Sequence, residues 1–135
     1  MADLNKITNT ADTTAEFDQS DIQQNKIMAI LSYICVCSIP LFLIPLLAAK
    51  NSKFARFHTN QGLVLWIANI AVSIVMGIIS FIIGLLGVEL LSGLVSLISG
   101  LISIFFLVLM ILGIVNAATG KAKELPIIGK IKLLK

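Results

Sequence analysis

The sequence predicts an all-α integral membrane bundle of three transmembrane helices. A kinked first span is followed by an antiparallel hairpin packed through small residues, with an interfacial segment between spans one and two. Three observations lead there. The stretch Gly62 to Ala118 holds fifty-seven residues with Glu89 as its only charge. The 135-residue chain is 58% hydrophobic and 13% charged, with a mean hydropathy of +1.02, whereas soluble domains are about half apolar and about a quarter charged. Small residues recur on each side of Glu89 in steps of four, three and four: Ser73, Gly77, Ser80 and Gly84, then Ser92, Ser96, Ser99 and Ser103. Such spacing places each set on one helix face. In lipid, helices associate where small residues let backbones approach.

Residues 1–20 read as a disordered polar and acidic tail, too poor in large apolar residues to bury a core. They show no apolar leader. Residues 21–135 read as a single transmembrane domain. Ser20 or Asp21 can cap a helix starting at Ile22. Residues 27–49 form the first span, twenty-three residues without a charge. Pro40 and Pro45 interrupt it, so a helix there must kink and free the carbonyls of Val36 and Leu41. The kink reads as a packing feature, or as a broken helix lining a pathway. Cys35 and Cys37 fall on different faces of that helix and read as buried small apolar residues.

Residues 50–61, KNSKFARFHTNQ, carry a net charge of +3 and read as an interfacial segment, with Phe54 and Phe57 toward lipid and the cations toward headgroups. The second span covers 62–87, with Trp66 at belt depth and Asn69 as glue between helices. The third covers 91–118; setting one span across 78–100 instead would bury Glu89 in mid-membrane. Gly120 suits a helix C-cap. Residues 119–135 form a basic tail of net charge +4, ending in a short surface-bound segment, whereas residues 1–26 carry −3. Three spans put both basic stretches on the cytoplasmic side of a cell membrane and the N-terminus outside.

No catalytic constellation is present. His58 is the only histidine, and no zinc, nucleophile-elbow or phosphate-loop motif occurs. The reading is a non-enzyme without cofactor, metal or nucleic-acid partner. The candidate polar cluster is Phe57, His58, Asn60 and Gln61 at the mouth of span two, with Asn116 facing them across the hairpin. Its role is structural or partner-contacting, and the expectation is that Gln61 or His58 hydrogen-bonds near Asn116.

The segments FARFHTNQGLVL at 54–65 and GIVNAATGKAKELPIIGKIK at 113–132, with an earlier AILSYI and IPL, resemble the Tic-twenty-like family of small membrane proteins. That family is related to a component of the chloroplast inner-envelope import machinery. The resemblance covers about residues 26–135 and implies a multi-pass protein, in plastids tied to precursor import. The function expected is contact with, or assistance to, other membrane or secreted proteins or peptides. The alternatives are a homo-oligomeric channel or small-solute transporter, and an immunity protein against a membrane-active peptide.

Overall fold

The computed structural model of the chain describes residues 10–36 and 39–134. Helix α1 (Gln19–Leu31) leads into a two-residue strand pair, β1 (Cys35–Val36) and β2 (Ile39–Pro40), and a short helix α2 (Leu43–Ala48). Two long helices follow, α3 (Lys53–Leu86) and α4 (Glu89–Ala118). Apart from the small antiparallel strand pair the architecture is all-α.

The long hairpin forms as its sequence dictates. Gly87 ends α3 at φ +67°, a left-handed conformation that suits glycine. Only Gly87 and Val88 separate the two helices, so the chain reverses beside Glu89. At its far end α4 closes in a Schellman motif. Gly120, at φ +74°, donates to the carbonyl of Ala117, and Lys121 N–H donates to that of Asn116 at 2.8 Å.

At 1.5 Å per residue, α3 and α4 are about 51 and 45 Å long, against a hydrocarbon core of about 30 Å. Both are long and apolar enough to cross a membrane. The surplus of α3 lies at its start: every buried residue of this helix falls between Phe54 and Leu65. Beyond Trp66 the helix shows its apolar side chains to the outside. The molecule therefore divides into a packed head and a protruding hairpin. The head gathers α1, the strand pair, α2, the first three turns of α3, the end of α4 and the C-terminal segment. Its core includes Ile22, Tyr33, Phe54, Leu109, Ala117 and Leu125.

This division corrects the expected first span. Residues 27–49 form no single helix. Helix α1 ends at Leu31, and Pro40 lies in β2. Pro45 is the third residue of α2, in the first turn, where an amide has no intrahelical partner to lose. The Leu41 carbonyl expected to be orphaned accepts Ile44 N–H at 3.1 Å. Among the described residues two helices, not three, are thus long and apolar enough to span. Of the cysteine pair, Cys37 lies outside the described residues, as does Ser38, a candidate partner for the freed carbonyls.

The expected interfacial segment is also revised. Residues 53–61 are helical and continuous with the rest of α3. Phe54 is fully buried rather than turned to lipid, stacked edge-on against Phe17 and His58. The cap of α1 is Asp18, whose carboxylate accepts Ser20 N–H at 3.2 Å. Asp21 serves another helix: it accepts Phe54 N–H at 3.0 Å and the Ser52 hydroxyl at 2.5 Å. Ser52 in turn caps α3 by accepting Ala55 N–H. A carboxylate from α1 thus sits at the positive end of α3.

The N-terminal stretch does not lie opposite the C-terminal one. Thr13 N–H donates to Ala122 O and Glu124 N–H to Ala11 O, both at 3.0 Å. Residues 10–14 are therefore on the same side of the hairpin as the basic tail, as an even number of spans requires.

Glycine use separates head from hairpin. A Cβ on Gly62 would meet Ser32 O at 1.7 Å, and one on Gly113 would meet the Tyr33 ring at 2.4 Å. These two glycines let α1 and Tyr33 seat against the hairpin base. Gly77, Gly84, Gly93 and Gly100 have nothing within 4 Å of an added Cβ, so the close backbone approach expected of the small faces is not made there. Ser73, Gly77, Ser80, Ser99 and Ser103 instead line an interhelical cleft of about 290 Å³, with Asn69 at its edge.

Gly62→Ala is expected to destabilise the head by about 1–3 kcal/mol or more, while Gly77→Ala changes stability by less than about 0.5 kcal/mol. Thermal unfolding in detergent checks this; similar losses for both would refute the glycine assignment.

Candidate functional site

The site is the polar cluster where α3 enters the head. Ser32, Ser52, His58, Thr59, Asn60 and Gln61 are all buried. Burying polar groups is costly unless each is paired. Among the described residues no buried side-chain nitrogen or oxygen lacks a hydrogen-bond partner.

His58 is the centre. It is 0% exposed, and its ring is ringed edge-on by Phe54, Phe57 and Tyr33 at 4.8, 5.1 and 5.5 Å. Nε2 lies 3.0 Å from the Lys121 carbonyl, which can only accept, so Nε2 carries a proton. Nδ1 lies 2.5 Å from the Tyr33 hydroxyl. In the neutral imidazole, Tyr33 therefore donates to Nδ1. The next residue, Thr59, donates to Ala55 O one turn back, and its hydroxyl meets that of Ser32 at 3.2 Å.

The two carboxamides act as substitute backbone. Gln61 accepts Leu125 N–H at 3.0 Å and donates to Gly129 O at 2.9 Å. Asn60 donates to Ile131 O and accepts Leu133 and Leu134 N–H, at 2.8, 2.6 and 2.9 Å. Asn116 donates to Lys123 O at 3.3 Å. The expected direct link of His58 or Gln61 to Asn116 is replaced by a shared one. All three hold the C-terminal segment, which enters the head as irregular chain and needs partners for its amides. A side-chain amide presents the same donor and acceptor as a peptide unit, so Asn and Gln suit this role.

Within that segment Gly129 N–H donates to Leu125 O, and Ile128 N–H to Pro126 O. Gly129 has no room for a Cβ, which would meet Leu125 O at 2.4 Å. Ile127 sits at φ +70°, a value that β-branched residues rarely take, and is 67% exposed.

The arrangement can clamp; it offers no reacting group to solvent. Gln61 is 1% exposed, so neither it nor His58 can itself touch a partner, and Phe57 is half-buried beneath Lys132. Among the described residues no group of three or more His, Cys, Asp or Glu is placed to hold a metal. Sequence reasoning found His58, Asn60, Gln61 and Asn116, missed Tyr33 and Ser32, and gave Asp21 to the wrong helix. Gly113 leaves room for the Tyr33 ring, but a glycine does not name its occupant.

Residues 24–134 match the profile of the magnetosome magnetite crystal formation protein family, MamF/MmsF. The chain belongs to this family. The match overturns the resemblance to the Tic-twenty-like proteins, and with it the link to precursor import. It begins inside α1 and ends on the residues that Asn60 holds, so the MamF/MmsF unit comprises both head and hairpin. Neither a curated protein nor a solved structure matches the chain.

Gln61→Leu strands Leu125 N–H and leaves Gly129 O only the 3.5 Å contact with the Lys132 ammonium, and about 1–3 kcal/mol per unpaired group predicts a loss of about 1–6 kcal/mol. Limited proteolysis should then release the 121–134 segment while the hairpin stays intact. Unchanged protease resistance would show that the clamp is dispensable.

Proposed function

We propose that this MamF/MmsF protein is a non-enzymatic membrane protein whose hairpin packs against the helices of other proteins, with the head fixing its depth and orientation. The observation that carries this reading is the unused small-residue surface. Gly77 and Gly84 on α3, and Gly93 and Gly100 on α4, have open space where a side chain would sit. Small residues favour close helix contact in lipid, and here the chain itself does not use them. The family's description, magnetosome magnetite crystal formation, supports a membrane around such a crystal as the setting. Within that reading the partner is another membrane protein of the same assembly.

The head lies at the membrane surface in this reading. Phe42 of the α2 flank meets Trp66 edge-on at 5.5 Å, which sets α2 level with the aromatic belt. Leu43, Ile44 and Leu47 share one exposed face of α2 and dip into the interface. The basic residues of the head make its side cytoplasmic, and Glu89 then marks the opposite face. A homo-oligomer is the second reading, because the same glycine rows can pair between identical hairpins.

Photo-crosslinkers at Ser73 and Ser96, both exposed, test the proposal in cells. A discrete hetero-adduct supports partner packing and a self-adduct the oligomer. Gly77→Leu and Gly100→Leu should abolish the adduct without unfolding the protein; no adduct from a correctly inserted protein refutes both readings. Thiol labelling should find residues 12, 51 and 130 on one side and residue 89 on the other.

A further inference from the structure

The fold joins two basic stretches that are far apart in the sequence. Lys50, Lys53 and Arg56, from the start of α3 and the turn before it, line one cleft with Lys132 of the C-terminal segment. The cleft holds about 530 Å³, and among the described residues no acidic one lines it. Phe57 and Leu134 supply apolar wall. Lys132 reaches in with its ammonium 5.2 Å above the Phe57 ring and 3.1 Å from Glu124. The Asp21 carboxylate faces the α3 amides instead.

Four cations around one concavity give it a positive potential that attracts an anion, even with Lys132 bridged to Glu124. The clamp described above enforces this convergence, because Asn60 fixes Ile131, Leu133 and Leu134 and so sets the rim that carries Lys132. The α3 amides of Phe54 and Ala55 are already satisfied by Asp21 and Ser52, so recognition falls to the side chains. An Arg fork with several Lys point charges is the chemistry that reads phosphate. The depth also fits: Asn60 lies six residues before Trp66, about 9 Å along the axis, within reach of the headgroup layer.

We propose that this cleft binds a phosphate-bearing anion, the phosphate of a phospholipid headgroup or of a soluble phosphate compound. The site goes beyond helix packing by the hairpin and does not depend on it. Lys50, Lys53, Arg56 and Lys132 contact the phosphate; Asn60 is a positioning residue; Phe57 and Leu134 cover the non-polar part of the ligand.

The test uses the full chain in uncharged detergent. Native mass spectrometry measures retention of phosphatidylglycerol against phosphatidylcholine, and calorimetry measures binding of pyrophosphate. A cation at an anionic membrane surface is worth about a factor of five, so Lys50→Gln/Lys53→Gln should weaken binding of the retained probe about thirtyfold. Lys121→Gln/Lys123→Gln, which removes the same charge outside the cleft, should change it less than about threefold. Arg56→Gln serves as a second cleft variant, and helical content by circular dichroism confirms folding of each. Preferential phosphatidylglycerol retention alone assigns a lipid headgroup, and pyrophosphate binding alone a soluble phosphate; binding of both supports phosphate recognition from either source. Binding of neither probe, equal retention of both lipids with no pyrophosphate binding, or equal losses in cleft and control variants overturns the proposal.

Discussion

The head depends on one constraint: the C-terminal segment is irregular chain inside a packed core, and its peptide groups must find partners there. Its own turns and the backbone pairing with residues 11–13 supply some of them. Asn60 and Gln61 supply others, with His58 and Asn116 taking the carbonyls of Lys121 and Lys123. All but Asn116 come from one turn and a half at the start of α3, so folding of that helix end creates the template on which the tail is laid. Apolar packing follows from it. Leu125 and Ala122 are carried into the core beside Ile22 and Tyr33, and residues 10–14 then add along the outer edge of the tail. Partial satisfaction of such a network would be worse than an apolar core, and among the described residues none of its buried side-chain atoms is left unpaired.

The hairpin was legible because its determinants are local. The uncharged run sets the helices, Gly87 sets the reversal, and Gly120 sets the end of α4. What hydropathy could not distinguish was a side chain facing lipid from one facing a protein core. Residues 27–49 are apolar for the second reason along much of their length: Ala29, Tyr33, Phe42 and Pro45 are buried within the head. Two prolines in the run were the available clue, and they mark a strand and a helix start rather than a kinked span. The same ambiguity turned Phe54 outward in expectation. Only the spacing of Phe54, His58 and Gln61, at four and three, hinted that this face is covered.

The polar cluster was visible as residue types, but its partners were not. His58 and Gln61 pair with main-chain atoms more than sixty residues away, and peptide groups are the same at every position of a sequence. The family, likewise, was sought in the right residues. The stretches at 54–65 and 113–132 both fall within the range matched by MamF/MmsF; similar segments led to the wrong relatives, and a match over 24–134 corrects the choice. Head and hairpin also differ in what they settle alone. Glycines 62 and 113 are committed to internal contacts, whereas glycines 77, 84, 93 and 100 are not.

The two-residue reversal at Gly87 and Val88 bears on how this protein enters a bilayer. With both ends of the hairpin on one side, no folded segment has to be carried across. The only ionisable group that must traverse the hydrocarbon is the Glu89 carboxylate. Its transfer costs about 3 kcal/mol on insertion scales. Each Leu, Ile, Val or Phe that enters with it returns about 0.3–0.6 kcal/mol, so about ten such residues offset it, fewer than the two helices carry. The two helices can therefore enter hydrocarbon together as a closed pair.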